Sequence, residues 1–184
     1  MVSDQTDVRL WYAMRATYRR ELIAQRALEA CGIESFVPMR YELKMQGGRR
    51  RRLLVPAIHN LIFVHAHPEE LQKAKERMPY LQYMMRKGLR DEQGRGEKMI
   101  IPAEQMIPFM AVAGMLDEHL TYYSPEQVNL TLGQRVKIHG GKCDGYEGRL
   151  VKVPGFRNRK VVVAIEGVMA VALANVLPEQ LEVL

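Results

Sequence analysis

Hydrophobic residues in the first half of the chain recur at two different periods. Val8 to Arg15 alternates residue by residue and contains the single tryptophan, which predicts a central first strand. Tyr18 to Cys31 repeats apolar residues at helical spacing and is followed by Gly32, so it predicts the first helix. Pro68 to Met78 begins with proline and places apolar residues on one side, which predicts a second helix.

Further strands are predicted between and after these helices. Ser35 to Lys44 alternates, Gln46 to Gly48 supplies a turn, and Arg49 to Val55 returns as a second strand. This hairpin carries four consecutive arginines at its tip. Asn60 to His65 is continuously apolar and predicts a buried middle strand, and Tyr80 to Met85 predicts another. The order of elements indicates an antiparallel sheet flanked by helices.

A second pattern begins near residue 130. Arg135 to Val153 alternates, breaks at two glycine-containing turns, and alternates again, which predicts two strands of a small β-barrel. Gly148 stands at the start of the second strand, where a glycine usually marks a bulge or a close backbone approach.

These patterns predict an α+β chain of two domains. We expect the first to span residues 1–116 and to end in a helix from Pro102 to Leu116 that Pro108 kinks. The second spans residues 131–184. The polar stretch from Tyr122 to Asn129 predicts the linker, taken as residues 117–130.

Charge is unevenly distributed along the chain. Residues 1–111 carry 19 Lys and Arg against 13 Asp and Glu, whereas residues 112–184 carry 8 of each. Clustered candidates for nucleic-acid contacts lie in the first part: Arg15, Arg19 and Arg20, and the run Arg49, Arg50, Arg51 and Arg52. Solvated surface arginines are the alternative interpretation for both groups.

Composition also excludes several classes of protein. Cys31 and Cys143 are far apart with no CxxC spacing, so we expect neither a zinc site nor a disulfide framework. No apolar run approaches membrane-spanning length and the first residues lack the layout of a signal peptide. We therefore expect a cytoplasmic protein without membrane contact, cofactor or metal, and a monomer.

Several motifs together resemble one known family. The stretch from Arg135 to Val153 resembles the KOW motif, with Gly148 at its nearly fixed glycine. Trp11-Tyr12, Phe36 to Met39, Asn60 to Val64 and Met78-Pro79 occur with the arginine hairpin in the order and spacing of a NusG N-terminal (NGN) domain. Over residues 8–183 the chain resembles a NusG-family transcription factor, which implies an NGN domain followed by an SH3-like KOW barrel.

Two segments narrow the resemblance further. Pro38 to Glu42 and Pro56 to His65 are most similar to the specialised antiterminators of capsule and exopolysaccharide operons, the UpxY-like and RfaH-like branch. Housekeeping NusG proteins have an aromatic-proline-glycine-tyrosine run before the buried strand. Here that place reads Ile58-His59-Asn60-Leu61.

The resemblance implies specific partners. An apolar depression would bind the clamp helices of the largest RNA polymerase subunit, formed here by Ile58, Leu61, Leu81, Tyr83 and Met84. The arginine candidates would contact non-template or upstream DNA. The KOW domain would contact a ribosomal protein or the termination factor Rho through Cys143, Tyr146, Gly148 and Phe156, of which Tyr146 is the one expected to be exposed. For the apolar positions, ordinary core packing is the alternative.

Other interpretations remain open. One antiterminator branch switches its KOW domain between helix and barrel, and the stretch from Gly167 to Leu177 would tolerate a helix, whereas Val161 to Val163 favours a strand. A ribosome-associated RNA-binding KOW protein is the alternative function, and Arg157, Arg159 and Lys160 are the residues that support it.

An enzyme is also conceivable because His65 and His67 precede Glu69-Glu70. A third ligand at diagnostic spacing and a nucleophile motif are both missing, so we expect no catalysis.

Overall fold

The computed structural model describes residues 8–173 and 176–184. The chain divides into two compact units. The first unit joins the residues up to Val37 with His59–Pro102, and the second joins Pro38–Ile58 with the residues from Ala103 onward. Functional domain boundaries at 116 and 131 stay a prediction.

Three α-helices are separated by groups of consecutive strands in the described residues. The α-helices are α1 (Glu21–Ala30), α2 (Pro68–Glu76) and α3 (Ala103–Ala113). The strands are β1 (Leu10–Ala16), β2 (Glu34–Phe36), β3 (Met39–Gln46), β4 (Arg49–Pro56), β5 (Leu61–Ala66), β6 (Leu81–Tyr83), β7 (Met85–Arg90), β8 (Gly96–Lys98), β9 (Ile100–Ile101), β10 (Thr121–Tyr123), β11 (Gln134–Ile138), β12 (Glu147–Val151), β13 (Lys160–Ile165), β14 (Met169–Leu173) and β15 (Leu181–Val183). None of the helices in these residues is long and apolar enough to cross a membrane.

Strand β1 is the centre of the first unit. It pairs antiparallel with β5 on one side and with β6 and β9 on the other, and β2 extends the sheet beyond β5. Tyr12, Ala13 and Met14 are almost completely buried, as a central strand requires. Helix α1 packs against β1, β2 and β5 and buries Ala24 and Leu28. The predicted central first strand is therefore confirmed, with its boundaries shifted by one or two residues.

The predicted first helix begins later than its sequence pattern indicates. Tyr18 and Arg19 have φ values of 60° and 56°, in the left-handed region, so the chain turns sharply before α1 starts at Glu21. A right-handed helix cannot include such residues. The second predicted helix agrees with α2, whose first residue is Pro68.

The single strand predicted for Ser35 to Lys44 is wrong. Here β2 ends at Phe36 and pairs with β5, whereas β3 begins at Met39 and pairs with β4. Pro38 lies between the two strands and has no N–H to donate to a ladder, which explains the break. The predicted hairpin is confirmed as β3–β4, with its turn at Gly47 and Gly48.

The segment between residues 85 and 101 carried no prediction. It forms the β7–β8 hairpin and then β9, which returns to pair with β1 beside β6. The strand predicted for Tyr80 to Met85 is therefore divided between β6 and β7.

The second unit contains a six-stranded antiparallel sheet. Its strand order is β10-β14-β13-β12-β11-β15, and α3 packs against β13 and β14. Tyr123, Val151, Val162 and Ala172 belong to its buried core cluster. Strands β11 and β12 confirm the predicted strand, turn and strand, and β13 confirms that Val161 to Val163 is extended.

The segment from Tyr122 to Asn129, predicted as the linker, contains part of a paired strand. Tyr122 and Tyr123 belong to β10, which pairs with β14, and the side chains of Tyr123 and Val128 are buried. Apolar atoms of two tyrosines gain more from this packing than from solvent. Within Gly167 to Leu177, Met169–Leu173 form the buried strand β14, and residues 174–175 lie outside the described chain.

Gly148 makes the close backbone approach that its position predicts. It pairs with Val136 on β11, and a Cβ atom there would lie 2.9 Å from both Val161 Cγ1 and the Val162 carbonyl oxygen. Contacts this short force backbone atoms to move, so only glycine fits.

We expect Gly148→Ala to lower the free energy of unfolding by about 1–3 kcal/mol because the added methyl overpacks β12 against β13. Thermal unfolding followed by circular dichroism measures the loss. The control is Gly96→Ala, where the nearest atom would be an ordinary 3.5 Å away. Equal melting temperatures for the two variants would contradict the close approach.

Candidate functional site

Two loops of the first unit meet at residues with unusual backbone conformations. Asn60 has a φ of 65°, and its side-chain oxygen accepts a hydrogen bond of 2.8 Å from the Arg19 backbone N–H. Its carbonyl accepts a second bond, of 2.9 Å, from the Ala16 N–H. Left-handed conformations of residues other than glycine cost free energy and concentrate at functional sites. Asn60 therefore holds the start of α1 in place.

This junction presents arginines to solvent. Arg15, Arg19 and Arg20 are exposed, and none of them forms an ion pair within the described residues. The Arg20 guanidinium lies 5.2 Å from the ring centroid of Tyr80 and 5.8 Å from that of Tyr18, whose own surface is 84% exposed. A cationic surface with an exposed aromatic ring suits nucleic acid, because arginines bind phosphates and the ring can stack on a base.

A buried carboxylate lies beneath this surface, and the sequence pattern gave no sign of it. Glu21 is 1% exposed, and its Oε1 atom is 3.9 Å from Nδ1 of His59. Its Oε2 atom has no hydrogen-bond partner within the described chain. Glu21 is the first residue of α1, where the helix dipole favours a negative charge.

The arginine run lies along a strand and not only at the hairpin tip. Arg49 to Arg52 form the first half of β4 and pair with Gln46, Met45, Lys44 and Leu43 in turn. Alternation along a strand sends Arg49 and Arg51 to one face and Arg50 and Arg52 to the other. The four charges therefore do not form a single flat patch.

Arg52 is already engaged within the second unit. Its guanidinium carbon lies 3.8 Å from the centroid of the Tyr41 ring, and it forms an ion pair with Glu118. Arg49, Arg50 and Arg51 are exposed and have no carboxylate partner in the ranges described. These three arginines are the part of the run available to phosphate, and Arg52 instead holds the hairpin.

The predicted apolar depression is only partly at the surface. Leu61 and Leu81 are 4% and 1% exposed and belong to the core of the first unit, so they support the surface from below. Tyr83 and Met84 are half-buried. Ile58 is half-buried and belongs to the second unit.

Tyr83 has an unusual environment. Its ring meets Tyr12 edge to face at 5.6 Å, and the Nζ atoms of Lys75 and Lys98 each lie 4.2 Å from its centroid. Its hydroxyl is buried without a hydrogen-bond partner in the described residues. Burial, and to a lesser extent Tyr12, raise the pKa of Tyr83 to about 12. Sequence analysis missed both lysines, which come from α2 and β8 and share no motif with Tyr83.

The predicted partner surface of the C-terminal sheet is reduced by burial. Cys143 is 7% exposed, its Sγ atom lies 3.9 Å from Met115 Sδ, and burial raises the pKa of its thiol. It is therefore a core residue and not a surface contact, because it fills the interior under the turn. Gly148 is enclosed by β13, and Phe156 packs against the core cluster. Tyr146 is half-buried and keeps part of its side chain in solvent.

The two histidines considered for catalysis have structural contacts. His65 stacks on Trp11 at 4.7 Å, and its Nδ1 atom is 2.8 Å from Glu34 Oε2. His67 precedes α2 and accepts a hydrogen bond of 3.3 Å from Arg9. Among the residues that the structure describes, no group of three side chains could hold a metal ion.

Comparison with known proteins identifies the family of this chain. The family described as "Transcription termination factor nusG" matches residues 9–109, more than half of the chain. The chain belongs to the NusG family. This match confirms the family that the motifs of the N-terminal part predict. It does not show the specialised branch.

Two other comparisons add little. No curated protein matches the sequence. A crystal structure of the MjSpt4:Spt5 complex in conformation B is similar at 12% identity over 95% of this chain and 96% of the other, with a TM-score of 0.29. That score is too low to carry an argument about fold. NusG-family proteins are non-enzymatic transcription factors that bind RNA polymerase, and the matched range of this NusG-family chain contains β1, α1 and Tyr83.

We expect Arg52→Gln to lower the free energy of unfolding by about 1 kcal/mol, because it removes the contact with Tyr41 and the ion pair with Glu118. Chemical denaturation measures the change. Arg51→Gln removes the same charge from an unpaired neighbour and should change stability by less than about 0.5 kcal/mol. Equal losses would show that Arg52 does not hold the hairpin.

We expect Tyr83→Phe to change stability at pH 7 by less than about 1 kcal/mol, because the lost hydroxyl has no partner. The folded protein holds the Tyr83 proton more tightly than the unfolded chain, whose tyrosine pKa is 10.0. The free energy of unfolding of the native protein should therefore fall as the pH rises from 10 to 12, and that of the variant should fall less. Melting temperatures across this pH range test the difference. Tyr18→Phe, at an 84% exposed position, is the control, and a variant that loses as much stability as the native protein would contradict the prediction.

Proposed function

We propose that this NusG-family protein is an elongation and antitermination factor that binds the RNA polymerase clamp and suppresses pausing or termination. The observation that carries the proposal is the family match over residues 9–109. The exposed features of that range, apolar groups near Tyr83 and unpaired arginines near α1, are the two kinds of surface that such a factor needs.

The clamp helices would contact the first unit at the end of its sheet. Tyr83 and Met84 remain partly exposed there, and Met85 is 48% exposed. Methionine adapts its shape to a partner helix, and apolar anchors within a charged rim suit helix recognition. Leu61 and Leu81 would set the position of this surface without touching the partner.

DNA would be contacted through arginines that have no carboxylate partner. Arg15, Arg19 and Arg20 supply one group, and Arg49, Arg50 and Arg51 supply another. Each phosphate that they neutralise adds salt-dependent affinity without base specificity. Non-template or upstream DNA is the substrate that fits these surfaces.

The mechanism requires no bond chemistry. The factor would bridge the polymerase cleft, hold the clamp closed over DNA and so favour the elongating state over the paused one. A difference of about 1–2 kcal/mol between the two states would shift their ratio roughly five- to thirty-fold.

The C-terminal sheet would act as an SH3-like KOW barrel that recruits a ribosomal protein or Rho. Support comes from the KOW motif, whose glycine lies where β12 and β13 approach closely. Tyr146 is the side chain that we assign to this contact, because Cys143 and Phe156 pack inward. An operon-specific role at a polysaccharide locus rests on the similarity of Pro38 to Glu42 and Pro56 to His65 to that branch.

Binding of the full-length protein to RNA polymerase tests the proposal. We expect Met84→Asp to weaken binding at least about tenfold, because docking would bury an unpaired carboxylate. The matched control is Leu132→Asp, at an 82% exposed leucine outside the proposed surface. Fluorescence anisotropy with labelled protein gives both dissociation constants.

Equal affinity of the two variants would remove Met84 from the clamp surface. A folded native protein that does not bind polymerase, but binds RNA, would instead support a ribosome-associated KOW protein using Arg157, Arg159 and Lys160.

A further inference from the structure

We propose that Lys75 and Lys98 form a receptor for acidic side chains of the protein partner that docks beside Tyr83. This inference rests on the proposed function, because it assigns charge chemistry to the polymerase-binding surface of the first unit.

The two lysines converge from separate elements onto one ring. Lys75 lies on α2 and Lys98 on β8, and each Nζ atom is 4.2 Å from the Tyr83 centroid. Neither lysine forms an ion pair within the described residues. Burial, and secondly the charge of Lys98, lower the pKa of Lys75. Two ammonium groups are thus held close together without a counter-charge.

Acidic side chains of a partner would relieve the repulsion between the two ammonium groups. Both nitrogens lie 4.2 Å from one point, so they are at most 8.4 Å apart. Acidic residues one turn apart on a helix have Cβ atoms about 5–6 Å apart and could reach both lysines. Charge-assisted hydrogen bonds would then replace like-charge repulsion.

The surroundings favour a protein over a nucleic acid. Tyr83 is half-buried and its ring is already contacted by Tyr12 and by both ammonium groups, so little of the ring remains for a base to stack on. Met85 is 48% exposed, and Ile100, which pairs with Tyr12 in the ladder, is 36% exposed. Exposed apolar groups beside basic side chains are typical of an interface with an amphipathic acidic helix.

The test measures binding of the full-length protein to an RNA polymerase elongation complex. We expect Lys75→Gln and Lys98→Gln each to weaken binding about two- to five-fold, and the double change to Glu to weaken it at least about tenfold. Lys75→Arg with Lys98→Arg should retain binding because both charges remain. Thermal unfolding establishes that each variant is folded.

The matched control is Lys142→Glu with Lys152→Glu, which makes the same change in net charge at two exposed lysines of the second unit. Its affinity should stay within about twofold of the native protein at 150 mM salt, because exposed charges outside the interface are screened.

Three results would overturn the inference in distinguishable ways. No polymerase binding by the folded native protein would overturn the proposed function as well. Native binding with equal affinities for the two double variants would overturn the receptor and leave the function standing. An equal loss of affinity for free duplex DNA would identify the two lysines as phosphate contacts.

Discussion

Backbone pairing of β1 with β5, β6 and β9 is the constraint on which the first unit depends. Three strands from distant parts of the sequence meet at this one strand. Its side chains are buried on both faces of the sheet, because Ala13 and Met14, which point to opposite faces, are both 0% exposed. The same pairing brings Tyr83 next to Tyr12, places Arg15 on β1, and positions the turn that carries Arg19 and Arg20. The proposed polymerase surface near Tyr83 and the arginine surface near α1 are therefore both consequences of how one strand of this NusG-family protein is paired.

Charge is used in two different ways in this molecule. Arg52 is held by an aromatic ring and a carboxylate, and it therefore contributes to the hairpin. The three preceding arginines, which are identical in chemistry and adjacent in sequence, have no such partners in the described chain. Lys75 and Lys98 are a third case, in which two like charges converge on one ring. These charges differ in role because their surroundings differ. An isolated exposed charge is screened by salt, whereas partly buried or neighbouring charges interact strongly.

Burial likewise decides which of the apolar candidates for partner binding are structural and which remain exposed. Leu61 and Leu81 stand in apolar runs that suit a binding surface or a core equally well, and the structure places them in the core. Cys143 is also enclosed, whereas Tyr146 keeps part of its side chain in solvent. What remains for recognition is a smaller set of partly exposed residues, supported by the buried ones.

The sequence by itself determined β1, α1, β5 and α2 of the first unit, the β3–β4 hairpin, the glycine that permits β12 to approach β13, and the family. These follow from periodicity, from proline and glycine geometry and from motif order, which are properties of neighbouring residues. Only the tertiary structure decided that Pro38 separates two strands of different sheets, that Tyr123 belongs to a sheet, and that Lys75 and Lys98 meet at Tyr83. Those features depend on contacts between residues that are distant in sequence, and local periodicity carries no information about which distant residues meet.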